Sequence, residues 1–318
     1  MLYKDQSSGR GAREGLKART LDSLSIVPHP ETSHAPSCRA RVTIRRVTTI
    51  HLEHAPVTEG SVRSADGTHI GYHRLGCGPA VVFVHGSVAA HTDWMPVARL
   101  LASHFTCFAM DRRGRAKSGV GVGPYSIERE YEDIAAVLAA AGPGAALVAH
   151  SFGATCALGM AMRYPVPRLV LYEPPLTVGG LIAGENLAPY VRALEEGDPD
   201  RALEWGLARF PRLPAEAITA LRTSRGWPRV RTMAKSWIRE LEAMDALSTD
   251  MEPFRALPCP SMLLVGDQSP EHPMLDSSRA LAEVLPGVRV ECLAGQGHGA
   301  MRMAPDKVAR LIRDFLAE

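Results

Sequence analysis

The feature that most constrains this chain is a series of short apolar runs separated by helical stretches. The runs cover residues 81–84, 105–110, 145–149, 169–172, 261–265 and 288–293. Short runs that stay apolar throughout are typical of strands buried on both faces of a parallel sheet. The helical stretches between them supply the crossovers that parallel strands need. The pattern therefore predicts an α/β fold, a mostly parallel sheet with helices on both faces. An additional hairpin is predicted at 62–75, around Asp66-Gly67.

The alternation stops between Pro175 and Pro258. This stretch has helical patterns at 200–209, 215–222 and 229–247, and it holds three of the four tryptophans. We interpret it as a helical lid inserted after the fourth buried strand. The predicted organisation is an N-terminal extension at 1–59, a core formed by 60–175 and 258–318, and a lid at 176–257.

The first fifty residues differ in charge from the rest. They hold nine Lys/Arg and four Asp/Glu, whereas the whole chain has a net charge of only +2. The segment lacks a sustained apolar period, so we expect a partly flexible extension, and a homo-oligomeric contact is one role left open for it. The small net charge gives no argument for nucleic acid or a membrane surface. The N-terminus has no apolar stretch typical of a secretory signal, which favours a cytoplasmic protein.

The sequence Ala149-His150-Ser151-Phe152-Gly153 joins a predicted strand to a predicted helix. A serine at such a sharp turn adopts strained backbone angles, and its hydroxyl projects above the sheet. The residues two before and two after it must be small, because strand and helix nearly touch there. Ala149 and Gly153 meet that requirement, although glycine is usual at the first position.

Three further motifs lie at the ends of other predicted strands. They are His85-Gly86, the segment 111–119 (DRRGRAKSG) and Gly297-His298-Gly299. Together with the serine motif, and in this order, they resemble the α/β-hydrolase family over about residues 60–318. The resemblance implies that Ser151 is the nucleophile and His298 the general base, since a serine hydroxyl needs an imidazole to accept its proton. It also implies an oxyanion hole formed by the backbone N–H groups of Ser87 and Phe152.

The carboxylate that would orient His298 has two candidates. Asp267 follows the fifth buried strand, two residues before the position where family members usually place an aspartate. Glu173 follows the fourth strand, where its placement resembles that in lactone hydrolases of the zearalenone-degrading type. Chain order does not decide between them, because both lie between Ser151 and His298. We favour Glu173.

The expected function is that of a serine hydrolase that cleaves an ester or lactone of a small molecule through an acyl-enzyme. The sharpest form of this hypothesis is a macrolactone substrate. An apolar or aromatic substrate is expected because the lid carries Trp205, Phe210, Trp227 and Trp237. No metal or organic cofactor is expected. The alternatives are acyl transfer, carbon–carbon bond hydrolysis, and a non-catalytic ligand-binding protein of the same fold.

Overall fold

A computed structural model describes residues 56–318, so most of the predicted extension lies outside the described residues. The first strand begins at Thr58, two residues before the predicted start of the core. The strands are β1 (Thr58–Arg63), β2 (His69–Gly76), β3 (Ala80–Val84), β4 (Thr106–Met110), β5 (Ala146–His150), β6 (Leu169–Tyr172), β7 (Ser261–Gly266) and β8 (Arg289–Leu293). The helices are α1 (Met95–Leu101), α2 (Ile127–Ala141), α3 (Phe152–Ala161), α4 (Leu187–Glu195), α5 (Pro199–Arg209), α6 (Ala215–Arg222), α7 (Trp227–Asp245), α8 (Asp276–Val284), α9 (Ala300–Met303) and α10 (Pro305–Leu316).

The strands form one sheet in the order β1-β2-β4-β3-β5-β6-β7-β8. β2 runs antiparallel to both of its neighbours. The six strands β3 to β8 are mutually parallel. Apolar side chains are buried on both faces, against α2 and α3 on one side and α1 and α10 on the other. The predicted α/β fold with a mostly parallel, doubly covered sheet is confirmed.

Parallel strands place their carboxyl ends at one edge of the sheet, where ligand sites of α/β proteins lie. β5 and β6 are adjacent, and β7 and β8 follow on the same side. The segments after these strands carry Ser151, Glu173, Asp267 and His298. The topology therefore gathers the predicted site residues at one edge.

Four helices, α4 to α7, lie between β6 and β7, within the predicted lid region. Three of them, α5, α6 and α7, correspond to the predicted helical patterns, and α4 was not predicted. No helix of the described part, residues 56–318, is both long and apolar enough to cross a membrane.

Candidate active site

Ser151 stands between β5 and α3 with backbone angles φ 54° and ψ −133°. A positive φ is uncommon for a residue with a side chain and marks a strained turn. Two glycines make the turn sterically feasible. A Cβ on Gly153 would lie 2.3 Å from the carbonyl oxygen of His85, and one on Gly86 would lie 2.8 Å from Cβ of Ser151. The close approach of β3 and β5 at this point therefore requires the absence of both side chains.

The ring of His298 is held by Glu173. Its Nδ1 lies 2.6 Å from Oε2 of Glu173, and the other carboxylate oxygen accepts the N–H of Gly266 at 2.6 Å. Glu173 is fully buried and has a positive φ of 47°. The structure therefore brings Glu173 to His298, at the hydrogen-bonding distance expected between a carboxylate and an imidazole.

Asp267, the other candidate, lies elsewhere. Its side chain is exposed, and its Oδ1 accepts the N–H of Gly295 at 2.8 Å. It forms no hydrogen bond with His298 among the described residues. The Ser151 hydroxyl likewise forms no hydrogen bond with His298 within residues 56–318, and such contacts are often loose in a ligand-free site.

Two residues that the sequence analysis did not assign to the site hold the loop around His298. The hydroxyl of Tyr172 donates to the carbonyl of Gly297 and accepts the N–H of Ala300 at 3.2 Å. Nε2 of His150 lies 2.8 Å from the carbonyl oxygen of His298. Burial and the neighbouring His298 lower the pKa of His150 well below its usual value, so the ring is a neutral donor to that carbonyl. Their positions in the sequence could have indicated this role, because His150 directly precedes Ser151 and Tyr172 directly precedes Glu173.

The backbone amides of Ser87 and Phe152 have no hydrogen-bond acceptor among residues 56–318. The carbonyl of Gly86 is fixed from the opposite direction. It accepts from Nδ1 of His85 at 2.8 Å and from Nη1 of Arg112 at 3.1 Å. In a trans peptide the C=O and the following N–H point opposite ways. Holding the Gly86 carbonyl therefore directs the Ser87 N–H away from Arg112. The N–H is left free to donate a hydrogen bond.

Arg112 also connects this amide to the lid. Its guanidinium forms two bonds to Glu130, at 2.7 and 3.1 Å, and one of 2.9 Å to Glu240 of α7. Its Cζ lies 4.6 Å from the centre of the Phe152 ring. Burial opposes the charge of Arg112, but the two carboxylates outweigh it and raise its pKa well above the usual value. One buried cation thus contacts Phe152, the carbonyl of the Gly86–Ser87 peptide and helix α7.

A small pocket, with a cavity volume of about 30 Å³, opens at Ser151 between the core and the inserted segment 176–257. Its polar lining residues are Ser87 and Ser151. The remaining lining residues are apolar: Phe152, Pro175, Ile182, Phe210, Pro211, Trp237, Leu241, Met244, Pro273 and Met274.

Of the four lid aromatics predicted to contact substrate, Phe210 and Trp237 belong to this lining. The other two tryptophans are placed outside it. The indole N–H of Trp205 donates to the carbonyl of Asn186 at 3.1 Å, and that of Trp227 donates to Asp200 at 2.8 Å. Both hydrogen bonds lie within the lid.

The fold and the arrangement of the strand ends agree with the comparison to known families. A model of the "Alpha/beta hydrolase family" matches residues 81–311. The chain therefore belongs to the α/β hydrolase family, as the sequence motifs indicated.

Individual relatives point to the same class of enzyme. A fluoroacetate dehalogenase from Burkholderia sp. is 25% identical over 273 residues, which is 76% of this chain and 88% of that protein. An α/β hydrolase structure from Sphaerobacter thermophilus DSM 20745 has 30% identity and a TM-score of 0.72, and the match covers 80% of this chain and 99% of that one. An esterase structure from Rhodococcus sp. ECU1013 has 22% identity and a TM-score of 0.65, over 82% of this chain and 98% of that one. The protein is thus an enzyme of the α/β-hydrolase class.

Proposed function

We propose that the protein is a serine hydrolase that cleaves an ester or lactone bond of a small apolar molecule through an acyl-enzyme. The observation that carries the proposal is the 2.6 Å contact between the buried Glu173 and Nδ1 of His298, at the same sheet edge as the strained turn of Ser151. A carboxylate in this position fixes the imidazole tautomer and stabilises the imidazolium that forms when serine is deprotonated.

In the proposed reaction, His298 takes the proton of Ser151 as its Oγ attacks the carbonyl carbon of the substrate. The carbonyl oxygen becomes an oxyanion and accepts hydrogen bonds from the Ser87 and Phe152 amides. Collapse of this intermediate breaks the bond to the leaving alkoxide, and His298 returns the proton to it. The product of this half-reaction is an ester of Ser151.

The second half-reaction repeats these steps with water. His298 removes a proton from water as its oxygen attacks the acyl-enzyme, and the same two amides hold the new oxyanion. Ser151 then leaves with the proton from the imidazolium, and the carboxylic acid is released. Attack by a different acceptor would give acyl transfer, which analysis of the products distinguishes from hydrolysis.

The pocket supports the substrate class. Ten of its twelve lining residues are apolar, and its cavity of about 30 Å³ is far below the range of roughly 300–1,000 Å³ for small-molecule sites. These properties favour a short apolar acyl group held against Phe210 and Trp237. Any substrate requires the helices over this cavity to move outward, and a macrolactone requires the largest displacement, so we favour the smaller substrate.

Halide displacement, the activity named for the Burkholderia relative, is disfavoured by the chemistry of the nucleophile. A carboxylate that displaces a halide forms an ester, which water can cleave. Serine would form an ether in the same step, and an ether is not hydrolysed under these conditions. With Ser151 as nucleophile, acyl transfer to water gives a cycle that can turn over.

A p-nitrophenyl ester series from acetate to octanoate tests the proposal, with Ser151→Ala as the matched variant. We expect turnover of the short esters and a loss of at least about a thousandfold in kcat in the variant. Labelling with a fluorophosphonate, followed by mass spectrometry of the modified peptide, should place the adduct on Ser151. Equal turnover by both proteins, or an adduct on another residue, would refute the assignment.

A further inference from the structure

A second cluster of ionisable side chains lies outside the active site. His73 is on β2, His91 begins a short helical turn after the loop that contains Ser87, and Asp111 follows β4. One ligand atom from each residue lies within 4.8 Å of the other two. Asp111 is fully buried, His73 is almost completely buried, and His91 is partly exposed. Asp111 and His73 therefore form the buried side of the cluster, and His91 forms the side that is open to solvent.

The sheet register explains why His73 and Asp111 meet. His73 is paired with Ala109 across the β2–β4 ladder, and the N–H of Asp111 donates to the carbonyl of Gly71 at 2.9 Å. The two side chains are therefore diagonal neighbours on one face of an antiparallel pair. No sequence spacing signals this arrangement, since its three residues come from three separate elements.

The two oxygens of Asp111 have different environments. Oδ1 accepts the backbone N–H of His91 at 3.1 Å and lies 2.8 Å from its ring Nδ1. Oδ2 is buried and has no hydrogen-bond partner among the described residues. Leaving a buried carboxylate oxygen without a donor or a cation is costly. This oxygen is the observation that points to a ligand.

The atom closest to pairing with Oδ2 is Nε2 of His73, at 3.6 Å. This separation is too long for a hydrogen bond. It fits two ligands of one metal ion, because donors about 2.0–2.2 Å from a tetrahedral ion are roughly 3.3–3.6 Å apart. The other ring nitrogen of His73 lies 3.9 Å from a carboxylate oxygen of the exposed Glu59, a distance that is also too long for a hydrogen bond.

We propose that His73, His91 and Asp111 form a binding site for one divalent first-row transition ion. Two imidazoles and one carboxylate suit zinc, cobalt, nickel or iron(II) better than calcium or magnesium. The ion supplies the missing partner for Oδ2 of Asp111. The partial exposure of His91 provides the route of entry and an open coordination position.

The site has a structural consequence for the enzyme. His91 is four residues after Ser87, and Asp111 directly precedes Arg112, which holds the carbonyl of Gly86. A bound ion would therefore tie the two segments that position the oxyanion donor. Metal binding should raise the melting temperature, since an ion that binds only the folded state stabilises it.

Cobalt(II) titration of the full chain tests the site, because the visible absorption of the ion reports its ligands. All proteins carry His298→Gln, which removes the active-site imidazole as a competing ligand. His73→Gln and His91→Gln remove one ligand each, and His69→Gln removes an exposed histidine from the same strand as His73. Measuring the metal-free melting temperature of every variant identifies any that fail to fold, and either ligand variant suffices for the test.

We expect one equivalent of cobalt to bind with a ligand-field spectrum and to raise the melting temperature. His73→Gln or His91→Gln should raise the dissociation constant of this cobalt ion by at least about a hundredfold. The His69→Gln variant should bind cobalt as tightly as the parent does. Zinc should displace the cobalt. The proposal is overturned if the parent binds no cobalt, or if a folded ligand variant binds it as tightly as the parent. Neither result would bear on the proposed serine hydrolase, which Ser151→Ala tests separately.

Discussion

Two fully buried glutamates, Glu173 and Glu240, face different kinds of partner. Glu173 is held by a backbone N–H and by the ring of His298. Glu240 lies between two guanidinium groups, 2.9 Å from Arg112 and 2.6 Å from Arg115. The first glutamate thus faces an imidazole, which can accept and release a proton, and the second faces guanidinium groups, which stay charged.

Under the proposed mechanism, the difference separates a carboxylate that takes part in the reaction from a carboxylate that joins parts of the fold. In the proposed mechanism, Glu173 stabilises the imidazolium that forms at His298. Burial opposes ionisation of Glu240, but Arg112 and Arg115 outweigh it and lower its pKa. That carboxylate is a permanent anion, and it connects the lid helix α7 to the segment after β4.

The largest effect should come from Glu173→Gln. The variant keeps an oxygen for the N–H of Gly266 but removes the charge that orients and stabilises His298, so kcat should fall by about a hundredfold to ten-thousandfold. Ester turnover measures this loss. The unfolding free energy should not fall, because the charge removed faces an imidazole and no permanent cation.

The matched control for this prediction is Asp267→Asn, because Asp267 is the alternative carboxylate in the sequence analysis. Its side chain is exposed and bonds to Gly295, so activity should stay near that of the parent. A large loss in the aspartate variant together with a small loss in the glutamate variant would reverse the assignment.

In contrast to Glu173→Gln, Glu240→Gln should strongly lower the unfolding free energy. It leaves Arg112 and Arg115 buried beside one fewer anion, and breaking a buried ion pair costs about 3–5 kcal/mol of unfolding free energy. Urea denaturation at neutral pH measures the change. Glu242→Gln, at an exposed position of the same helix, should change stability by less than about 0.5 kcal/mol. Similar small changes in both variants would show that the network does not stabilise the folded state.

A smaller change in unfolding free energy, dependent on pH, is expected from His85, which helps to fix the Gly86 carbonyl. Its Nδ1 donates to that carbonyl and its Nε2 accepts the N–H of Arg112 at 3.0 Å, an arrangement that requires the neutral ring. Burial and the charge of Arg112 lower its pKa to about 3. Because this value is below the unfolded value of about 6.5, the contribution to stability is complete above pH 6.5 and is lost as the pH falls towards 3.

The loss from His85 should follow a slope of about 1.4 kcal/mol per pH unit. Between pH 6.5 and 5 the parent should therefore lose about 2 kcal/mol that His85→Asn does not lose. Unfolding free energies at pH 7.5 and 5 for both proteins measure the difference, with His69→Asn as the control for loss of an exposed histidine. Identical pH dependence in the parent and His85→Asn would contradict the prediction.

The sequence predicted the architecture well, because the signals for it are local. Apolar runs located β3 to β8 to within one or two residues, and a change of pattern located the helical insertion between β6 and β7. The contacts at the site are not local. Arg112 and Glu240 are 128 residues apart in the chain, and no periodicity links them.

The direction of individual side chains could not be predicted from the sequence. Glu173 and Asp267 both follow strands at the same edge, and residue type and order do not reveal which carboxylate turns towards His298. The lid aromatics pose the same difficulty. All four are large and apolar, but which of them line the pocket depends on how the helices are rotated, and this placed Phe210 and Trp237 at the pocket and Trp205 and Trp227 away from it.

The end of β6 has a consequence for how the catalytic geometry tolerates motion. Tyr172 and Glu173 are consecutive residues, and one holds the backbone on both sides of His298 while the other holds its ring. If thermal motion displaces this strand end, the imidazole and its supporting loop shift together as a unit. A displacement of this strand end would therefore move the support of the loop and the partner of the ring in the same direction.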